Sequence, residues 1–408
     1  MSTETVREYL TEEEEDRIGL HTQEMILNMG PSHPATHGTV KFTLRLEGET
    51  IRDLDPDIGY LHRGFEKMCE NATYTHAFPY TDRLNYCSPF INNVGYALAV
   101  EKLLGIEITE RCKYVRTIIS ELHRISDHLT CLAATSLELG AFTVFLYGVQ
   151  SREEIYVLTE EICGARLTVS YVRIGGLTDD LPESFADHWK LVKRRLDKNL
   201  YDIDKLIGRN RIFIDRMQNT GILDTETAIS YGCTGPFLRA CGVEYDVRDA
   251  APYLVYDRLD WTMPTGTRGD NWDRFLIRLA EIEQSISMID QCIEQMPEGP
   301  VRIDDWRVVL PPKDEVYNSI EAMMAHFKLI MEGLKVPPGE VYSYTEGANG
   351  ELGFFIVSDG SGKPSRVHVR PPCYHLVAAL PEIMRGKLIQ DLVPTFDTIN
   401  MIGGEIDR

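Results

Sequence analysis

Two histidines stand four residues apart in Gly30-Pro-Ser-His-Pro-Ala-Thr-His-Gly38. On a helix that spacing would put both rings on one face, as in a zinc-binding H-E-x-x-H, but Pro34 between His33 and His37 and the flanking Pro31 and Gly38 exclude a helix. The segment is predicted to be a rigid loop, a backbone that fixes an imidazole where a substrate can meet it. A Pro/Gly turn with capping histidines fits the same residue types. Further proton donors stand along the chain: Tyr80 and Tyr86 flank Arg83 in Tyr80-Thr-Asp-Arg-Leu-Asn-Tyr86, and Glu138 lies between Leu137 and Leu139. A carboxylate in apolar surroundings has a raised pKa and relays protons near neutral pH. Glu138 reads equally well as a helix residue reaching solvent, and Tyr86 as a core tyrosine with a satisfied hydroxyl.

The usual nucleotide and hydrolase signatures are missing. The chain has no dinucleotide glycine fingerprint, no phosphate-cradling G-x-x-x-x-G-K-[ST] and no G-x-S-x-G elbow. The 408 residues are 43% hydrophobic, enough for a large core, with a net charge of -21. That charge argues against nucleic acid and against direct docking on anionic lipid, since both need basic patches. Membrane association must then run through protein partners. No secretory signal is expected at the start, where the acidic run Glu12 to Asp16 reads as a solvated tail. The longest uncharged apolar run, Leu139 to Val149, is well short of the roughly 20 residues of a spanning helix, and is expected in a buried helix or an interface. Nine cysteines without a C-x-x-C pair read as reduced core thiols with no metal or disulfide framework.

The elements that position these residues follow from periodicity. Glu24 to Met29, Thr39 to Leu46 and Ile51 to Asp57 read as a small antiparallel sheet. Helical stripes follow: Val115 to Leu132, Phe185 to Ile207, and a third opening at Asp270, whose Trp272, Phe275, Leu279, Ile282, Ile286, Ile289, Ile293 and Met296 run until Pro297. Long helices bury such stripes against one another, so a bundle is expected. Hairpin strands return at Val341 to Glu346, Glu351 to Ser358 and Ser365 to Arg370. The fold class is therefore α+β: a central long-helix bundle (71–334) with small antiparallel β regions at the N-terminal (1–70) and C-terminal (335–408) ends, behaving as one folding unit.

Taken together, the histidine loop, Ile58-Gly-Tyr-Leu-His-Arg-Gly-Phe-Glu-Lys67, Tyr80 to Tyr86, Tyr171-Val-Arg-Ile-Gly-Gly176 and Gly404-Glu-Ile-Asp-Arg408 resemble the large quinone-site subunit of respiratory complex I, the D-type subunit of bacterial NADH:quinone oxidoreductase. The resemblance runs in order from about Thr22 to Arg408, and with so short a stretch before it no fused C-type subunit is expected. It implies a proton-translocating oxidoreductase subunit with no cofactor of its own, packed against the B-type subunit, whose terminal iron-sulfur cluster reduces quinone in the cleft between them. It implies the C-type and I-type subunits and the H-type membrane subunit as further partners, and a peripheral place on the cytoplasmic side of the cell inner membrane. His37 and Tyr86 are then the headgroup ligands, Ile402 lines the cleft, Arg63 lies beside the partner's cluster, and Glu138, where the family usually has aspartate, receives the other ring nitrogen of the histidine. A protonatable histidine neighbouring the cluster is replaced by Val169, and the aspartate opening the last motif by Asn400.

The implied fold is similar to the large subunit of nickel-iron hydrogenases, whose metal sits on two C-x-x-C pairs. Aligned on Arg83 and Arg408, those thiolate positions are Asn85, Ser88, Ile402 and Glu405, so no metal is expected. A purely structural scaffold is the other rival. It would have no reason to keep His37, Tyr86 and Glu138 together.

Overall fold

The structure, a computed structural model, describes residues 24–408. The acidic tail expected at Glu12 to Asp16 lies outside them. Strands β1 (Glu24–Met29), β2 (Lys41–Glu47) and β3 (Thr50–Asp57) form an antiparallel sheet in that order, with Leu27 opposite Leu44 and Leu44 opposite Leu54. Alternation along β2 sends Phe42, Leu44 and Leu46 inward. A bulge at Arg45/Leu46 resets the register so that Ile51 of β3 also points inward.

The bundle comprises α1 (Pro89–Leu104), α2 (Glu110–Glu138), α3 (Phe142–Cys163), α4 (Phe185–Ile203) and α5 (Asn271–Gln295). The Thr109 and Asp270 side chains cap α2 and α5 by accepting from the backbone N–H groups of Cys112 and Asp273. On α5 the expected stripe is present, with Phe275, Ile282, Ile286 and Ile289 buried; each contributes about 1.5–3 kcal/mol. Helix α2 packs between α3 and α5. It meets α3 closely because Gly148 has no side chain: a Cβ there would stand 2.7 Å from the Cβ of Ala133. A two-stranded ribbon, β4 (Val172–Arg173) with β5 (Gly176–Leu177), and the sheet β6 (Gly339–Gly347), β7 (Gly350–Ser358), β8 (Pro364–Arg370) complete the framework.

Burial departs from the simple stripe on α2. Arg116, Glu121, Arg124, Asp127 and His128 are buried along with the apolar residues. Charges inside a core persist only when paired. Accordingly Glu121, Asp246, Glu281 and Glu346 interlock with Arg124, Arg239 and Arg248, and His128 Nε2 lies 2.8 Å from Glu281.

Two apolar cores result. The larger joins the bundle to β6 to β8. The second joins the inner face of β1 to β3 with Cys87, Phe237 and the C-terminal segments 373–384 and 392–406, so the two chain ends share one core. All nine cysteines are free thiols. The apolar run Leu139 to Val149 opens α3 with Phe142, Leu146 and Val149 exposed, a surface face rather than core. Among the described residues no helix is long and apolar enough to cross a membrane.

Candidate functional site

The histidine loop carries a single 3-10 turn, Pro34–Thr36, where no helix was expected; the proline supplies its first residue, a position that needs no backbone N–H. The turn gives the two histidines different work. Nδ1 of His33 accepts from the N–H of Ala35 at 3.2 Å, so His33 is the capping residue. His37 ends the turn in the left-handed region at φ 53, which turns its ring over Phe396 of the second core, with centroids 5.9 Å apart. Burial lowers the His37 pKa, against the charge of Glu138 and the Met401 backbone, which raise it.

The Tyr80 to Tyr86 segment meets the C-terminal motif next to this loop's core. Arg63 Nη2 donates to the carbonyls of Arg83 (2.8 Å) and Gly404 (3.1 Å), stitching three motifs together. Gly404 is required here, because a Cβ would fall 2.4 Å from the Arg83 oxygen. Tyr86 packs half-buried against the second core, which also contains Ile402. Burial, with Cys87, Cys373 and Asp127 nearby, pushes the Tyr86 pKa up to about 12. It is therefore a protonated donor at neutral pH, and among the described residues its hydroxyl forms no hydrogen bond.

Beneath Tyr86 lies a closed polar network. Asn85 Nδ2 (2.6 Å) and Ser88 Oγ (2.8 Å) donate to one oxygen of Asp127, and Asn400 Nδ2 donates to the other at 2.8 Å and to Asn349 at 2.6 Å. Asn349 donates to Cys373, whose thiol donates to Glu405 at 3.2 Å. Three of the four positions aligned with metal thiolates, Asn85, Ser88 and Glu405, thus belong to a hydrogen-bonded chain, and the fourth, Ile402, is apolar core. Among the described residues no group of three or more His, Cys, Asp or Glu side chains is arranged to hold a metal ion.

His37, Tyr86 and Ile402 gather on the second core, and Arg63, itself exposed, is tied to it through Gly404. Val169 packs in the larger core instead, beside Ser170, whose N–H and hydroxyl donate to Asp82. Glu138 differs from the apolar setting expected of it. As the last residue of α2 it is exposed, and it forms neither a hydrogen bond nor an ion pair with His37, acting on the ring through space. The carboxylate nearest the ring is one that sequence reasoning missed: Asp397 Oδ1 lies 3.7 Å from His37 Nε2. Its signal was the one read at Glu138, an acid inside an apolar helix, Leu392-Val-Pro-Thr-Phe-Asp-Thr-Ile399.

The fold is that of an α+β helix-bundle protein in which the four positions aligned with metal thiolates lie in a hydrogen-bonded network or in apolar core, with His37 and Tyr86 on the same core. Residues 138–408 match the family model described as respiratory-chain NADH dehydrogenase, 49 Kd subunit. The chain is 56% identical to the D-type subunit of NADH-quinone oxidoreductase from Myxococcus xanthus, over 95% of this chain and 94% of that protein. It is 55% identical to the D-type subunit numbered 1 from Sorangium cellulosum, over 97% and 98%. It is 46% identical to the C/D-type subunit of Bdellovibrio bacteriovorus over 95% of this chain and 70% of that longer protein. The chain belongs to the 49 kDa, D-type subunit family of NADH:quinone oxidoreductase. It is a complex I subunit, and other complex I subunits are its partners.

Proposed function

We propose that this chain supplies one wall of the quinone-reduction site, the other wall being the subunit that carries the terminal iron-sulfur cluster, and that it couples quinone reduction to protonation. The observation that carries the reading is the free, protonated hydroxyl of Tyr86, packed against the same core whose Phe396 meets the His37 ring. Two-electron reduction places negative charge on both carbonyl oxygens of a quinone, so donors aimed at those oxygens stabilise the reduced forms and supply protons. Ile402 offers an apolar contact to the headgroup, and Arg63 a fixed positive charge toward the partner's cluster. The exposed Phe142, Leu146 and Val149 give an apolar face for a neighbouring subunit. Membrane contact runs through partners on the cytoplasmic side of the cell inner membrane, with the B-type, C-type, I-type and H-type subunits as the neighbours.

Tyr86→Phe tests the reading, because it keeps the ring and volume while removing the donor. The assembled variant should lose quinone reductase activity by about 1.5 to 3 kcal/mol in the barrier, the worth of a hydrogen bond to a charged group. Wild-type turnover in the fully assembled variant would sink it. A second expectation concerns Val169. With no imidazole there to gain a proton when the neighbouring cluster is reduced, the cluster's midpoint potential should vary little with pH. Val169→His should introduce a slope, at most about 59 mV per pH unit for one proton per electron. A redox titration showing that slope already in the unaltered protein would contradict it.

A further inference from the structure

We infer that Asp397 is the positioning residue for His37 and the acid that re-protonates its ring after the ring has given a proton to quinone, with Glu138 as the link from Asp397 to solvent. The inference rests on the quinone-site reading above and adds a residue that the motifs do not mark.

Asp397 is 2% exposed, and neither of its carboxylate oxygens has a hydrogen-bond partner. A buried carboxylate left without partners is strongly disfavoured, so it must either hold a proton or share one with a neighbour. The single ion-pair neighbour among the described residues is His37, whose Nε2 stands 3.7 Å from Oδ1. The ring cannot easily turn away. Its backbone is set by the 3-10 turn, and it packs over Phe396, the residue just before Asp397. With Nε2 directed at Asp397, Nδ1 is the nitrogen we assign to a substrate, which would take over from the Met401 backbone that acts on the ring in this structure.

The charged surroundings identify where the shared proton rests. The helix Leu392–Ile399 packs on α2 and α5. From the end of α2 the charge of Glu138 acts on both Asp397 and His37. Cys131 of α2 donates its thiol to the Asp397 backbone carbonyl at 3.4 Å, and the charges of Asp127 and Arg278 are felt at that thiol. No guanidinium or ammonium pairs with Asp397 itself among the described residues. Burial and Glu138 push the Asp397 pKa far up, while burial holds that of His37 down, so the resting pair is a carboxylic acid beside a neutral imidazole. The step then balances simply. The Nδ1–H bond of His37 breaks toward a quinone oxygen as the O–H bond of Asp397 breaks toward Nε2. The imidazole is neutral before and after, one proton has left Asp397, and no electrons move. The carboxylate so formed recovers a proton from water through exposed Glu138.

The test uses the assembled complex and compares wild type, Asp397→Asn and Asp397→Glu. Quinone reduction is followed against pH, and reduction of a soluble acceptor upstream of the quinone shows that each complex is intact. Asp397→Asn should lose about tenfold to a hundredfold in the quinone-limited rate and lose the alkaline fall that marks titration of the acid, whereas Asp397→Glu should recover most of both. Infrared difference spectra should show a buried carboxylic C=O band that disappears in Asp397→Asn and shifts in Asp397→Glu. A wild-type rate and pH profile in Asp397→Asn, or equal losses in the Asn and Glu variants, would overturn the assignment and leave the quinone site standing. Unchanged quinone reduction in both His37→Ala and Tyr86→Phe would instead remove the site, and this role with it.

Discussion

Arg239→Met is expected to cost the protein about 3–5 kcal/mol, the penalty for stripping a buried charge network of one partner. The Arg239 guanidinium reaches Glu281 at 2.6 Å and Glu346 and Asp246 at 3.0 Å each, all four side chains buried, and donates to the carbonyl of half-buried Tyr245. Methionine fills the volume but leaves those carboxylates facing one another. The network already has little slack. Burial and the charge of Asp246 push the Glu346 pKa up, while Arg248 and Arg239 hold that of Asp246 down despite its own burial. The measurement is the yield and melting temperature of the assembled complex. Adding Glu281→Gln should recover part of the loss, because the two changes act on one interaction. A single variant that assembles and melts like wild type would show that the network does not hold the bundle.

Glu405→Gln should make the protein more stable at pH 8 and leave it nearly unchanged at pH 5. Burial pushes the Glu405 carboxyl up to about 7, against the hydrogen bonds from Cys373 and Asn349. A carboxyl whose folded pKa lies above its unfolded value binds its proton more tightly when folded. Stability is then complete below about 4.5, declines as pH rises, and is lowered by about 3 kcal/mol once pH has passed through the folded value. Glutamine keeps the shape and cannot ionise, so the variant should lack this decline. Thermal melts of the two proteins across pH 5 to 8 read the difference directly. Parallel curves would mean that Glu405 ionises without cost.

Local patterns decided much of this architecture. The α5 stripe from Trp272 to Ile293, its Asp270 cap and the stop at Pro297 are contained in one segment of chain, and so are the alternation and turns of both small sheets; short-range sterics and periodic burial suffice to specify them. His37 and Tyr86 stood out as candidates by residue type, His37 because the prolines and glycines around it admit few backbones, whereas Arg63 and Ile402 were marked only by the family motifs they sit in. Partners were not legible. That Asp397, rather than Glu138, stands within ion-pair distance of His37 depends on how the C-terminal helix docks beneath a loop some 360 residues earlier, and nothing local records that docking. The same holds for α2. Its apolar stripe was visible, but nothing in the stripe marked Glu121, Arg124, Asp127 and His128 as buried, which they become because residues from 239 to 400 pack over them. Side-chain types and spacing determine what each element can bury and what chemistry it can offer. Only the packing of distant segments determines which charges lose their water, and those are the groups whose proton affinities depart furthest from their ordinary values.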